Sequence, residues 1–210
     1  MLTKSKIKEI LHGDERHKVT PDLDLKVDSF DNGLKIWNHP DVLAFYKEKS
    51  MTWIPENSTA VFLPCSAHKP YVYSQSHRRG YLKALEPYLE DIDLFVVSEP
   101  MGVVPYCYSD TYPVTSYDYD PYSFFINHMS NLKAQKSREI FVERVSKWLT
   151  KYHPKYRKKI LILPKSWHLK IFKKAVKTAD LNWGEYKIVY LTGRPHICAE
   201  YMKKQLDEYL

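Results

Sequence analysis

A chain of 210 residues with 44% hydrophobic side chains can bury one full core, and a net charge of +7 with a pI near 9.1 permits an anionic partner without requiring one. The N-terminus, Met1-Leu2-Thr3-Lys4-Ser5-Lys6, lacks the apolar stretch of a signal peptide, and no apolar run approaches the ~18 residues of a membrane span, so a cytoplasmic enzyme-sized protein without a membrane partner is expected. Cys65, Cys107 and Cys198 are far apart, with no CxxC pair and no His/Cys cluster at zinc spacing, which reads as reduced thiols and calls for no metal and no cofactor.

In chain order, Lys4 to His12 has the composition of a short helix, and Gly13 to Gly33 is a polar, acidic stretch that reads as an irregular lead-in. Residues 1–37 are therefore expected as an N-terminal extension and residues 38–210 as a single α/β core. Asp41 to Lys49 carries Val42, Leu43, Phe45 and Tyr46 at helical spacing, and Thr59 to Leu63 is a short apolar strand that Pro64 ends. Ser76 is placed to cap a helix bearing Tyr81, Leu82, Leu85 and Leu89, which Pro87 should kink. Asp93 to Ser98 is a second strand. Glu99 to Phe125 follows without a clear period, far longer than the usual connection of about 2–6 residues, and holds six tyrosines from Tyr106 to Tyr122 among Asp110, Asp118 and Asp120. Stacking surfaces beside carboxylates suit a purine-like base, although most of these rings read equally as cover for a sheet edge.

Glu139 to Tyr152 shows an amphipathic helix, Lys159 to Leu163 a third strand, Trp167 to Ala179 a helix, Tyr186 to Leu191 a fourth strand, and Pro195 opens a terminal helix. About four apolar strands alternating with amphipathic helices predict a three-layer sandwich: a mostly parallel central sheet flanked by helices. In such sheets ligands bind beyond the carboxyl ends of the strands. The segment after the first strand, Pro64-Cys65-Ser66-Ala67-His68-Lys69-Pro70-Tyr71 through Ser74 and His77, lies at such an end and crowds a thiol, two imidazoles, an ammonium and several hydroxyls. Arg78 and Arg79 add charge for an anion there, and Arg194 and His196 follow the fourth strand in the equivalent place.

The spacing of Pro64, Cys65, Lys69, Pro70, Tyr71, Ser74 and His77 resembles the signature of the archaeosine synthase core domain, a family of archaeal tRNA-modifying enzymes related to tRNA-guanine transglycosylases. Ser98-Glu99-Pro100-Met101-Gly102-Val103-Val104-Pro105, with the later Tyr117-Asp118, resembles the family's second stretch. The resemblance covers roughly residues 38 to 195 and implies a uracil-DNA-glycosylase-like α/β fold. The implied reaction joins the side-chain amine of free lysine to the nitrile carbon of 7-cyano-7-deazaguanine in tRNA, giving an amidine. The amine must arrive neutral and the nitrile nitrogen must gain a proton or hydrogen bond. Direct attack by the amine is the preferred route; prior addition of Cys65 to form a thioimide is the other.

On this reading Cys65, Lys69 and Asp118 are the catalytic candidates, with Glu99 as a second carboxylate able to take the amine's proton or hold the lysine. Pro64, Ser66, Tyr71, Ser74, His77, Ser98, Glu99, Gly102 and Tyr117 are expected around the substrate, and Arg78, Arg79 and Arg194 on RNA. Each has a plainer alternative: Cys65 as a small buried residue, Lys69 as a solvated lysine, His77 bonded to backbone at a helix start, Ser74 and Tyr71 satisfying a turn. The family's long members carry a transglycosylase-like domain and an RNA-binding PUA domain. Neither fits in this length, so a separate PUA-bearing protein or self-association is the expected aid to tRNA binding. A nucleobase hydrolase or glycosylase, and a non-catalytic RNA-binding module, are the competing functions; the absence of a carboxylate in the turn after the first strand opposes the former.

Overall fold

The computed structural model describes residues 1–13, 25–120, 127–128, 130–164 and 167–210. The helices are α1 (Lys4–His12), α2 (Phe30–Lys35), α3 (Pro40–Phe45), α4 (Leu82–Leu85), α5 (Leu132–Tyr152), α6 (Trp167–Thr178) and α7 (Ala199–Tyr209). The strands are β1 (Thr59–Pro64), β2 (Asp93–Ser98), β3 (Gly102–Pro105), β4 (Lys158–Leu161) and β5 (Tyr186–Ile188), in the sheet order β3-β2-β1-β4-β5. Every residue of β1 is buried, as a strand with parallel neighbours on both sides and helices on both faces must be. Phe62 packs there against Phe95 of β2, Trp148 of α5 and Phe172 of α6, with ring centroids 4.9–5.7 Å apart. No helix among the described residues is long and apolar enough to cross a membrane.

Two features depart from the sequence reading. The sheet has five strands, because Gly102 to Pro105 folds back antiparallel on β2, pairing Ser98 with Gly102 and Phe95 with Pro105. Four residues ending in a proline are too short a run to show a period, and the hairpin turns at Gly102, whose φ of +91° would strain any side chain. The cap before the fourth helical region also differs. Ser76 has helical dihedrals and makes no capping bond; Ser74 Oγ accepts from the His77 amide at 3.2 Å instead. The chain then makes a wide π-type turn, His77–Tyr81, before α4, and Pro87 falls in the 3-10 turn that ends it. Within residues 1–37, read as an N-terminal extension, Ile7, Ile10, Leu25, Val27, Ile36 and Trp37 join the same buried core as the sheet. The lead-in's residues 14–24, and Tyr122 with Phe125 of the long aperiodic stretch, lie outside the described residues.

Buried Arg144 on α5 fastens the β2–β3 turn, donating to the Pro100 carbonyl at 2.7 Å and to the Trp37 carbonyl. Burial lowers its pKa to about 10, so the guanidinium stays charged while it holds the turn. A second clamp is steric. A Cβ on Gly80 would stand 2.7 Å from the carbonyl carbon of Pro195 and 2.9 Å from the His196 nitrogen. Gly80→Ala therefore forces backbone apart between the Arg78-Arg79 turn and the Arg194 loop, and is expected to cost about 1–3 kcal/mol of stability by chemical denaturation; an unchanged midpoint would show that the two segments are not in this contact.

Candidate active site

The order of the strands decides which residues meet. β1 is central; the chain passes from it to β2 on one side and later to β4 on the other, so the crevice between β1 and β4 is a topological switch point. Three chain ends open there at one height: Cys65 after β1, Glu99 after β2, and the start of α6 after β4. Cys65 continues the ladder, its amide bonding the Val97 carbonyl at 3.1 Å, which sets it next to Ser98 and Glu99.

Cys65 Sγ lies 3.5 Å from Glu99 Oε2 and 3.4 Å from His168 Nε2, and His168 Nε2 is 3.1 Å from the same Glu99 oxygen. Trp167 Nε1 donates to Glu99 Oε1 at 2.8 Å, so both carboxylate oxygens are engaged. Glu99 and His168 are buried, and Cys65 is half-buried at the mouth. Burial alone would raise the Glu99 pKa, but the adjacent His168 charge and its hydrogen bond outweigh burial and hold the carboxyl below the ordinary value. Burial likewise disfavours imidazolium, yet Glu99 and then Cys65 push the His168 pKa well above the usual histidine value. Among the described residues this is the one group of three Cys, His or carboxylate side chains close enough to share an ion.

A neutral half adjoins this charged one. Tyr71 Oη, Ser98 Oγ and Tyr117 Oη form a closed ring of hydrogen bonds, 2.9, 2.7 and 2.6 Å on its three sides. Burial raises the pKa of both phenols well above 10, which keeps the ring uncharged. Lys69, also buried, sets its ammonium 3.9 Å from the Tyr117 ring centroid. Burial lowers its pKa, opposed by Cys65, Asp118 and Glu99. Asp118 itself is exposed; its backbone pairs with the Lys26 segment, accepting from the Val27 amide and donating to the Leu25 carbonyl, and its carboxylate acts on Lys69 by charge.

Of the sequence candidates, the structure brings Cys65, Lys69, Tyr71, Ser98, Glu99 and Tyr117 into one continuous cluster. Pro64, Ser74 and His77 sit behind the motif loop. His77 is fully buried; its Nε2–H donates to the Pro64 carbonyl at 3.0 Å, so Nδ1 accepts from the Tyr106 hydroxyl at 3.1 Å. Gly102 faces Arg144 and Tyr46 in the hairpin. Ser66 and Arg194 line a cavity of about 450 Å³ together with His68, Ser74 and His196, and Arg78 and Arg79 border a neighbouring hollow with His68. Sequence reading missed His168 and Trp167. They begin the helix directly after β4, so the rule that pointed to the end of β1 points equally to them.

Residues 42–128 match the family described as a domain of unknown function (DUF5591). The chain is 35% identical over 82 residues to archaeosine synthase subunit alpha of Thermoplasma acidophilum, 38% of this chain and 16% of that protein. It is 38% identical over 64 residues to archaeosine synthase subunit alpha of Methanosarcina acetivorans (30% and 10%), and 35% identical over 68 residues to archaeosine synthase of Methanocaldococcus jannaschii (32% and 12%). The match thus spans a tenth to a sixth of these relatives. A crystal structure of AF0587, a protein of unknown function, superposes with a TM-score of 0.45 at 20% identity, over 79% of this chain and 49% of that one.

Burial lowers the His77 pKa to about 3, against an ordinary value of 6.5. The unfolded chain therefore binds a proton at His77 that the folded chain refuses, and stability at this site falls as pH drops through the window from 6.5 toward 3. His77→Gln, which keeps a side-chain amide for the Pro64 carbonyl, should flatten part of the loss of urea stability between pH 7 and pH 5; an identical slope in the variant would contradict a buried neutral imidazole.

Proposed function

We propose that this chain is the catalytic core of an archaeosine-synthase-like enzyme, on a uracil-DNA-glycosylase-like scaffold, that joins the side-chain amine of lysine to the nitrile of 7-cyano-7-deazaguanine in tRNA. The contact of Cys65 with His168 and Glu99 at the switch-point crevice carries the reading. Sulfur and carboxylate meet the same imidazole nitrogen, unlike the relay of a catalytic triad, but an imidazole and a buried carboxylate within reach of the thiol give its proton somewhere to go, as an activated nucleophile needs. It turns the preference from direct amine attack to the covalent route.

In the first step Cys65 Sγ bonds to the nitrile carbon, the C≡N bond becomes C=N, and its nitrogen takes the proton that left the sulfur through His168. In the second, the neutral lysine amine adds to the thioimide carbon and gives up a proton, the carbon–sulfur bond breaks, and the amidine leaves with the thiol restored. No oxidant or reductant is needed. Lys69, buried over Tyr117, is set to hydrogen-bond the developing imide nitrogen, while Glu99 keeps His168 oriented. The buried, neutral Tyr71–Ser98–Tyr117 ring backs the place proposed for the purine-like base without adding charge to it. Arg78, Arg79 and Arg194 on the rim meet tRNA phosphates, with a PUA-bearing partner or a second copy supplying further affinity.

Cys65→Ala should abolish incorporation of labelled lysine into tRNA carrying the cyano base, and wild-type protein given that tRNA without lysine should accumulate an adduct on Cys65 by mass spectrometry. Glu99→Gln and His168→Gln should slow turnover by about 10²–10⁴-fold. Cys65→Ala with most of its activity intact would sink the covalent route; no lysine transfer by wild type with any partner would sink the function. If tRNA is the substrate, log affinity should fall with log salt at about 0.7–0.9 per phosphate neutralised, and Arg79→Ala should shallow that slope. Binding that ignores salt would remove tRNA as the partner.

A further inference from the structure

Cys65, Glu99 and His168 make a triangle with sides of 3.5, 3.4 and 3.1 Å between ligand-type atoms. Two hydrogen bonds to Glu99 Oε2, from the thiol and from Nε2–H, can join the three atoms but leave the sulfur–nitrogen side without a proton of its own. Closing all three sides requires a proton on each, yet the imidazole Nε2 and the thiol supply at most two, and the single Nε2–H cannot aim at both sulfur and oxygen. A point just above the centre of the triangle lies at metal-bonding distance from all three atoms. A tetrahedral Zn²⁺ with bonds of about 2.3 Å to sulfur and 2.0–2.2 Å to nitrogen and oxygen requires ligand-to-ligand edges of about 3.4–3.6 Å, within ~0.3 Å of each side found here.

We propose that Cys65 Sγ, Glu99 Oε2 and His168 Nε2 form a three-ligand site for a thiophilic divalent cation of the Zn²⁺ kind. A thiolate and an imidazole select such an ion over Mg²⁺ or Ca²⁺. One thiolate and one carboxylate balance its two charges in a place where Glu99 is 1% exposed. The support around the ligands is present: Trp167 Nε1 occupies Glu99 Oε1 and leaves Oε2 turned to the other two atoms, the outer hydrogen bond that metal-ligating carboxylates need. Three protein ligands leave the fourth position to water or substrate. Because metal and nitrile carbon compete for one sulfur lone pair, a loaded site and a nucleophilic Cys65 exclude each other. The cation is then an off-switch for the proposed chemistry. The site itself follows from the three distances and does not require that chemistry.

Chelator-stripped protein titrated with Co²⁺ tests this without any turnover assay. One equivalent should bind with sulfur-to-metal charge-transfer absorption and the visible bands of four-coordinate cobalt, be displaced by Zn²⁺, and disappear in Cys65→Ser, a near-isosteric change that spares the fold. Trp167→Phe, which touches no metal ligand atom but frees Glu99 Oε1, should weaken binding by about 10–100-fold. Zn²⁺ should also protect Cys65, and not Cys107, from alkylation mapped by mass spectrometry. A titration without a sulfur band, a band that survives Cys65→Ser, or one indifferent to both His168→Gln and Glu99→Gln would overturn the site. Those failures leave the Cys65 adduct measurement untouched. Conversely, a cobalt site in a protein that never modifies tRNA would overturn the proposed function alone.

Discussion

A carboxylate with 1% of its surface exposed has to be partnered, and the partners of Glu99 set much of the rest. An ionised acid in the interior costs several kcal/mol unless its oxygens are hydrogen-bonded and its charge is met. Trp167 and His168 do both from the first turn of α6, and so tie that helix to the end of β2. Arg144 holds the next carbonyl, Pro100, and thereby anchors the same turn to α5. The turn that carries the buried acid is thus pinned to both helices, and the half-buried thiol of Cys65 meets the acid at Oε2, the oxygen that His168 also contacts.

The parallel sheet explains why such a pin forms here. Strands running in one direction present all their carboxyl ends at one edge, and the change of direction between β1 and β4 opens a gap in the covering loops. The antiparallel β3 closes the outer side of β2 and turns the Glu99 peptide inward. The motif after β1 then divides its labour. Cys65 reaches the surface of the crevice, Lys69 and Tyr71 are buried beside it, and Ser74 and His77 bond backbone from behind and fix the loop that carries them.

The resulting crevice has two electrostatic halves. One holds the thiol, imidazole and carboxylate, where protons or a cation can sit; the other holds three hydroxyls that burial keeps neutral, with the Lys69 ammonium between them.

The four parallel strands, the amphipathic helices and the turn at Cys65 were legible in the sequence, because period, burial and proline breaks are local properties that each segment carries by itself. So was the family resemblance, which lies within contiguous motifs. β3 was not legible, since four residues show no period and their strand state comes from β2's unpaired edge. The role of Ser74 in place of Ser76 hung on a π-type turn that shifts the cap by two residues. Above all, His168 stands 103 residues from Cys65 and looks like an ordinary helix histidine. Only the crossing of the chain from one side of β1 to the other brings it to the thiol, and strand order is a property of the whole sheet that no local window contains.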